Sequence, residues 1–143
     1  EIYTLSLHDA LPISISNYSY IASEATPRVN VNTNAVNITS AGVTVCSLTG
    51  LTAGQYFVIG NISHGHGNAN NSDYARTKIA VNGTEKIMAE GYLNTYWNST
   101  NVTAMGTVTI NSTSDTLTLI GSTANNNTDT TAGTSALVAI RMS

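Results

Sequence analysis

The sequence predicts an all-β fold: an antiparallel sandwich or barrel of about ten short strands. Three observations carry that reading. Asn, Thr and Ser number 17, 22 and 15 among the 143 residues; Thr fits pleated strands, while Asn and Ser fit turns. Short apolar runs alternate with polar residues, and no run repeats at helical spacing. Gly and Asn clusters interrupt the chain as turn signals do. Apolar residues still reach 41%, so the composition is not that of a disordered chain. The length suits one domain with one core.

In chain order, the predicted strands cover residues 18–22, 28–32, 35–38, 42–48, 55–63, 76–81, 85–93, 106–111, 115–120 and 135–142. Alternation places Val43 and Val45 on one face and Thr44 on the other. Val108 and Ile110 oppose Thr107 and Thr109, and Leu117 and Leu119 flank Thr118. Two strands break this rule: Tyr56-Phe57-Val58-Ile59 and Ala136-Leu137-Val138-Ala139-Ile140 are apolar on both faces. An antiparallel sandwich strand keeps one wet face. Either a second protein surface or a long loop of the same chain therefore covers the outer side. Asn82-Gly83 is the sharpest turn signal, because both residues tolerate the positive φ of a type I′ hairpin. A strict two-residue turn would set Ile79 opposite Lys86, a poor pairing, and a bulge would offset that register. Long loops are expected at 64–73 and 122–133.

Residues 1–14 read EIYTLSLHDALPIS. This string resembles the in-frame translation of a sequencing-adapter oligonucleotide, which implies an assembled environmental read. The expected organisation is then an artefact over 1–14, a lead-in over 15–34 and a sandwich domain over 35–143. Without Glu1 and Asp9, the five Lys and Arg face six acids, and the formal charge moves from −3 to −1.

The stretch Val43-Thr-Val-Cys-Ser-Leu-Thr-Gly-Leu-Thr-Ala-Gly-Gln-Tyr-Phe-Val-Ile-Gly60 reads as strand, Gly-flanked loop and apolar strand. With the final run Gly133-Thr-Ser-Ala-Leu-Val-Ala-Ile-Arg-Met142, it resembles the jelly-roll heads of the tumour-necrosis-factor and complement globular-head superfamily. It resembles most of all the versions at phage fibre tips and on virion surfaces. The resemblance implies a two-sheet antiparallel jelly roll whose last strand is central to a sheet, and three protomers around an axis. Tyr56, Val58, Leu137 and Ala139 are the interface residues expected on that basis. A fibronectin-type sandwich matches less well, because its Leu-x-x-Gly…Tyr corner falls late in the domain, whereas Leu51, Gly54 and Tyr56 fall early.

Candidate chemistry is sparse. His64-Gly65-His66, with Asp73, could hold a divalent metal if the loop wraps an ion; the alternative is a Gly-rich loop showing two histidines to solvent or a receptor. Asp73, Asp115 or Asp129 could bind calcium with loop carbonyls, although Asp115 fits a strand start after Ser112-Thr113-Ser114. Cys46 stands alone, so no disulfide forms within the chain, and burial as a small apolar group is expected. No carboxylate pair or Ser–His–Asp motif is present in the sequence, and no enzymatic activity is expected. Nine Asn-x-Ser/Thr sequons occur, a number that the Asn, Ser and Thr content largely explains. Tyr92, Asn94, Tyr96, Trp97 and Asn98 combine flat rings with amides, as a sugar-binding patch requires, or else fill the sandwich end or a subunit contact.

Five basic residues against eight acids exclude a typical nucleic-acid binder, and no apolar run is long enough for a membrane helix. The expectation is a non-enzymatic, homotrimeric head on a virion surface or in the extracellular space, without a cofactor. Its contact would be a host-surface glycan or protein, through the loops at 64–73, 92–101 and 122–133. A capsid decoration protein, a secreted carbohydrate-binding module and a soluble cytokine-like ligand are the alternatives.

Overall fold

A computed structural model describes residues 26–66, 73–93, 99–124, 129–131 and 133–142. Ten strands run in the order β1 (Arg28–Asn32), β2 (Asn37–Ile38), β3 (Val43–Leu48), β4 (Gly54–His66), β5 (Asp73–Val81), β6 (Thr84–Leu93), β7 (Ser99–Ile110), β8 (Leu117–Thr123), β9 (Asp129–Thr131) and β10 (Ser135–Arg141). Every pairing is antiparallel. The first sheet follows the order β1-β10-β4-β9-β2, with β7 on the far edge of β4; the second is β3-β8-β5-β6. Arg28–Asn32, within the expected lead-in, pairs with Ser135–Ala139 and so adds a strand to the first sheet. The predicted strand at 18–22 lies outside the described residues.

The longest strand, β4, organises the first sheet. One edge pairs with β7 from Gly54↔Ile110 to Gly65↔Ser99. The other is shared, Tyr56–Asn61 with β10 and His64–His66 with β9. Strand β4 extends beyond both predicted ends, and β7 begins seven residues before its predicted start. Ser99–Ala104 has too few apolar side chains to read as a strand, yet its backbone completes the ladder of β4. Strand β9 (Asp-Thr-Thr) has no apolar residue at all and falls inside what was expected to be a loop.

Alternation then builds the core. Tyr56, Val58, Gly60, Ile62 and His64 of β4 face the second sheet, as do Leu137 and Ala139 of β10 and Val102, Ala104, Val108 and Ile110 of β7; all are buried. From the other side come Val45, Cys46, Leu48, Ile79, Val81, Leu117 and Leu119. Val45 and Cys46 are adjacent yet both buried, because the β3–β8 register shifts between Thr44 and Cys46. That bulge turns Cys46 inward, with its Sγ 3.8 Å from the Ser135 carbonyl, and burial pushes the thiol up.

Two glycines set how closely the sheets approach. A Cβ at Gly60 would overlap Leu119 Cδ1, and one at Gly121 would lie 2.6 Å from Ile38 Cδ1. Each backbone thus leaves the space that an opposing side chain occupies. Along the open side, the inward residues of β1 are polar. Asn30 Nδ2 donates to the Ser47 carbonyl at 2.6 Å and Asn32 Nδ2 to that of Val45 at 3.1 Å. These are alternate carbonyls of β3, the edge strand of the second sheet. The amides of β1 give them partners that a neighbouring strand would otherwise supply.

The hairpin joining β5 and β6 resolves the register question. Asn82 and Gly83 take φ values of 50° and 76°, as a type I′ turn requires. Ala80 pairs with Glu85, Ile79 skips Lys86 to meet Ile87, and the register shifts between Ile79 and Ala80. Lys86 is the extra residue, and its side chain is exposed.

Filling the glycine spaces should be costly. Gly121→Ala and Gly60→Ala are each expected to destabilise the fold by about 1–3 kcal/mol through overpacking. Urea unfolding would show this as a lowered midpoint with an unchanged slope, while exposed Gly133→Ala, whose Cβ would meet only ordinary contacts, stays near wild type.

Candidate interaction surface

The outward side of the first sheet is apolar across four strands. Register places Val31 beside Ala136, and Val29 beside Val138, which in turn faces Ile59 and then Met105. A further row joins Ile140 to Phe57. Val29, Val31 and Met105 are 52%, 51% and 56% exposed, a large fraction for side chains that water solvates poorly. Phe57, Ile59, Val138 and Ile140 are half-buried. Asn61, whose Nδ2 donates to Thr103 Oγ1 at 2.7 Å, and the exposed Thr107 bound the apolar area.

The residues expected at a subunit contact need correcting here. Tyr56, Val58, Leu137 and Ala139 belong to the inner set, at 4%, 0%, 0% and 0% exposure, and face the core between the sheets. Buried between the sheets, these four side chains are not available to a second protomer. Phe57, Ile59, Val138 and Ile140 are the outward partners of the same strands. Tyr56 instead braces the β3–β4 connection, its hydroxyl donating to the Thr52 carbonyl at 2.9 Å beside buried Leu51. That bond resembles the tyrosine corner of β-sandwiches, although it falls early in the chain. Burial raises the Tyr56 phenol, and Arg28 and the bond to Thr52 partly offset the rise.

His64 does not sit in an exposed loop, as the Gly-rich reading expected. It lies within β4 at 0% exposure, and its Nε2 is 3.2 Å from Thr77 Oγ1 of β5. Its Nδ1 has no hydrogen-bond partner. Burial holds the imidazole neutral and pushes its pKa down from 6.5 to about 4. The other two proposed metal ligands, His66 and Asp73, end β4 and begin β5, and their side chains lie outside the described residues. So does that of Asp129. Among the described residues, no three His, Cys, Asp or Glu side chains gather as a metal site would.

Asp115 has a structural task. Its Oδ1 accepts from Asn82 Nδ2 at 2.8 Å, and its Oδ2 accepts from the Asn111 and Ser112 amides at 2.7 and 3.2 Å. Those bonds, with Asn82 the largest contributor, hold its carboxyl below the usual carboxylate range. Both oxygens therefore accept bonds from the turn and hairpin they join, as the start of a strand after Ser112-Thr113-Ser114 requires.

Of the aromatic patch, Tyr92 is described; Asn94, Tyr96, Trp97 and Asn98 lie outside the described residues. Tyr92 is 55% exposed on the outward side of the second sheet, edge-on to Tyr74 with ring centroids 5.5 Å apart. The sequence reading missed Tyr74 because the cross-strand pair Tyr74↔Tyr92 joins residues that lie far apart in the chain. Beside the rings, Arg76 pairs with Glu90 at 2.6 Å and Lys78 with Glu85 at 2.9 Å, exposed ion pairs that add little stability.

A known structure shares this arrangement of strands. The structure of Eiger TNF from S. frugiperda superposes with a TM-score of 0.56 at 7% sequence identity, over 82% of this chain and 92% of that one. The fold is a TNF-like jelly roll. At that identity the likeness is one of fold alone. Dimeric latent PorU from Porphyromonas gingivalis also matches, with a TM-score of 0.44 and 8% identity, over 80% of this chain and 13% of that one. No protein-family model and no curated protein matches the sequence.

The buried histidine makes a directional prediction. Because the folded pKa of His64 lies below its unfolded value, the unfolded chain binds the extra proton first as the pH falls. His64's contribution is complete above pH 6.5, declines between 6.5 and about 4, and levels off below that. The loss should reach about 3 kcal/mol. In His64→Leu this part of the slope should disappear when urea unfolding is followed across the same pH range.

Proposed function

We propose that this chain is a non-enzymatic jelly-roll head that assembles as a homotrimer and works by adhesion, on a virion surface or fibre tip, with a host-surface glycan or protein as its contact. One observation carries the assembly part of this reading: the outward side of β1, β10, β4 and β7 presents Val29, Val31, Phe57, Ile59, Met105, Val138 and Ile140 together. A contiguous exposed apolar patch is commonly functional, and a protein contact is one of its uses. The virion setting rests on the resemblance of the 43–60 and 133–142 segments to phage and virion heads.

Assembly is tested by light scattering coupled to size exclusion. A species near three times 15.0 kDa is expected. Ile59→Lys and Val138→Lys should each yield a folded monomer, because a desolvated, unpaired ammonium in such a contact costs several kcal/mol. A wild-type monomer would remove the trimer and leave the outward face unexplained by self-association.

A second reading, a carbohydrate-binding module, is supported by the exposed Tyr74–Tyr92 pair. Stacking on sugar rings would make Tyr92→Ala and Trp97→Ala lose about tenfold in glycan affinity each while melting as wild type does. A glycan array followed by titration of any hit would decide it, and unchanged binding would take those rings out of the site.

A further inference from the structure

The hairpin tip formed by Asn82 and Gly83 is chemically labile, and the fold clasps it from a distance. An asparagine followed by glycine can lose its side-chain nitrogen: no side chain on the next residue hinders the backbone amide that attacks. Here both ends of the Asn82 carboxamide are held by residues more than thirty positions away. Nδ2 donates to Asp115 Oδ1 at 2.8 Å, and Oδ1 accepts from the Thr116 amide at 2.9 Å. The Asn82 amide in turn donates to the Thr116 carbonyl at 2.9 Å. We propose that Asn82-Gly83 is a latent deamidation site, kept intact by the clasp with Asp115 and Thr116, and that its modification irreversibly weakens the join between the β5–β6 hairpin and the β7–β8 turn.

The chemistry balances with water alone. The Gly83 nitrogen, having given up its proton, bonds to Cγ of Asn82. The Cγ–Nδ2 bond breaks, and the side-chain nitrogen leaves as ammonia, taking a proton to do so. The resulting cyclic succinimide is opened by water at one carbonyl or the other, giving aspartate or isoaspartate. No electrons change hands. Closing that ring requires Cγ to swing towards the Gly83 nitrogen, so the bonds to Asp115 and Thr116 must break first. The reaction is therefore gated by opening of the clasp.

The product cannot re-form the clasp. An aspartate at 82 keeps the oxygen that accepts from Thr116. It replaces the donor facing Asp115 with a carboxylate oxygen, setting two like charges at hydrogen-bond distance. An isoaspartate also lengthens the backbone inside a two-residue turn, which the type I′ geometry does not accommodate. Either way the step runs in one direction, from a joined tip to a separated one.

The test uses the full chain held for several days in mildly alkaline buffer, followed by peptide mapping that separates aspartate and isoaspartate. Asp115→Ala should deamidate at Asn82 about tenfold faster than wild type, the factor for losing one hydrogen bond of about 1.4 kcal/mol. An equal rate in the two proteins would overturn the proposal. Should Asp115→Ala fail to fold, a charge swap decides. Asn82→Asp should melt below wild type at neutral pH, and Asn82→Asp/Asp115→Asn should recover, because the exchanged groups can make the same set of bonds with the donor on the other side. An Asn82→Asp protein as stable as wild type, or a double variant no better than the single, would also overturn it.

Discussion

The hydrogen bonding of β4 is the constraint on which the first sheet depends. Thirteen residues of one strand must find partners along two edges, and no single neighbour is long enough to serve both. One edge takes β7 for almost its whole length, and the other is divided between β10 and β9. At the second segment sits His64, a buried polar residue in an otherwise apolar row, tied to Thr77 of the opposite sheet. The strand also has to be thin at Gly60, where Leu119 and Ile79 press across from the second sheet. Its length, the inward His64 and its mid-strand glycine therefore belong to one solution. The sheets close over β4, and what β4 presents on its other side joins the outward apolar rows of β1, β10 and β7.

The low charge content has a structural counterpart. With 9% charged residues, the fold cannot rely on ion pairs to secure its edges and turns. Neutral amides and hydroxyls do that work instead. Asn30 and Asn32 complete the edge of β3, Asn61 joins β4 to β7 through Thr103, and Asn82 ties one hairpin to the next turn. The first three of these bonds join neutral groups, so they are indifferent to salt and to pH. Asp115 and His64 are the exceptions, one charged and fully bonded, the other neutral and only half-bonded. Among the described residues, acid therefore acts on the fold through His64, Asp115 and two exposed ion pairs that add little stability.

Much of the fold was legible because it depends on alternation, which is a local property. Val108, Ile110, Leu117 and Leu119 fall inside as their spacing requires, and Asn82-Gly83 makes the turn its dihedral preferences predict. What the sequence did not reveal depends on partners distant in the chain. Ser99–Ala104 and Asp129–Thr131 become strands because β4 offers them an edge, not because their own side chains favour it. The same limit explains the misassigned contact residues. A strand apolar on both faces is evident in sequence, but which face turns inward is fixed by register against β10 and β7. Tyr74 was missed for the same reason, since its partner Tyr92 is set by the hairpin.

The geometry of the outward face also limits what kind of contact it can make. Four strands spaced about 4.8 Å apart, with three rows of side chains along each, cover roughly 300–400 Å². That is the size of patch a functional monomer surface commonly carries. It falls short of the about 800 Å² that each partner contributes to a stable protein interface. The apolar rows can therefore be the dry centre of a contact but not all of it. Their surroundings suit a rim: Thr103, Thr107 and Thr109 on β7 and the Asn61 amide are polar, uncharged and at least partly solvated. On the trimeric reading, a three-fold axis near β10 and β4 would let each protomer share this centre with two others and bring the threonines of β7 to the edges. A flat glycan, which needs rings and amides rather than branched aliphatics, finds little here.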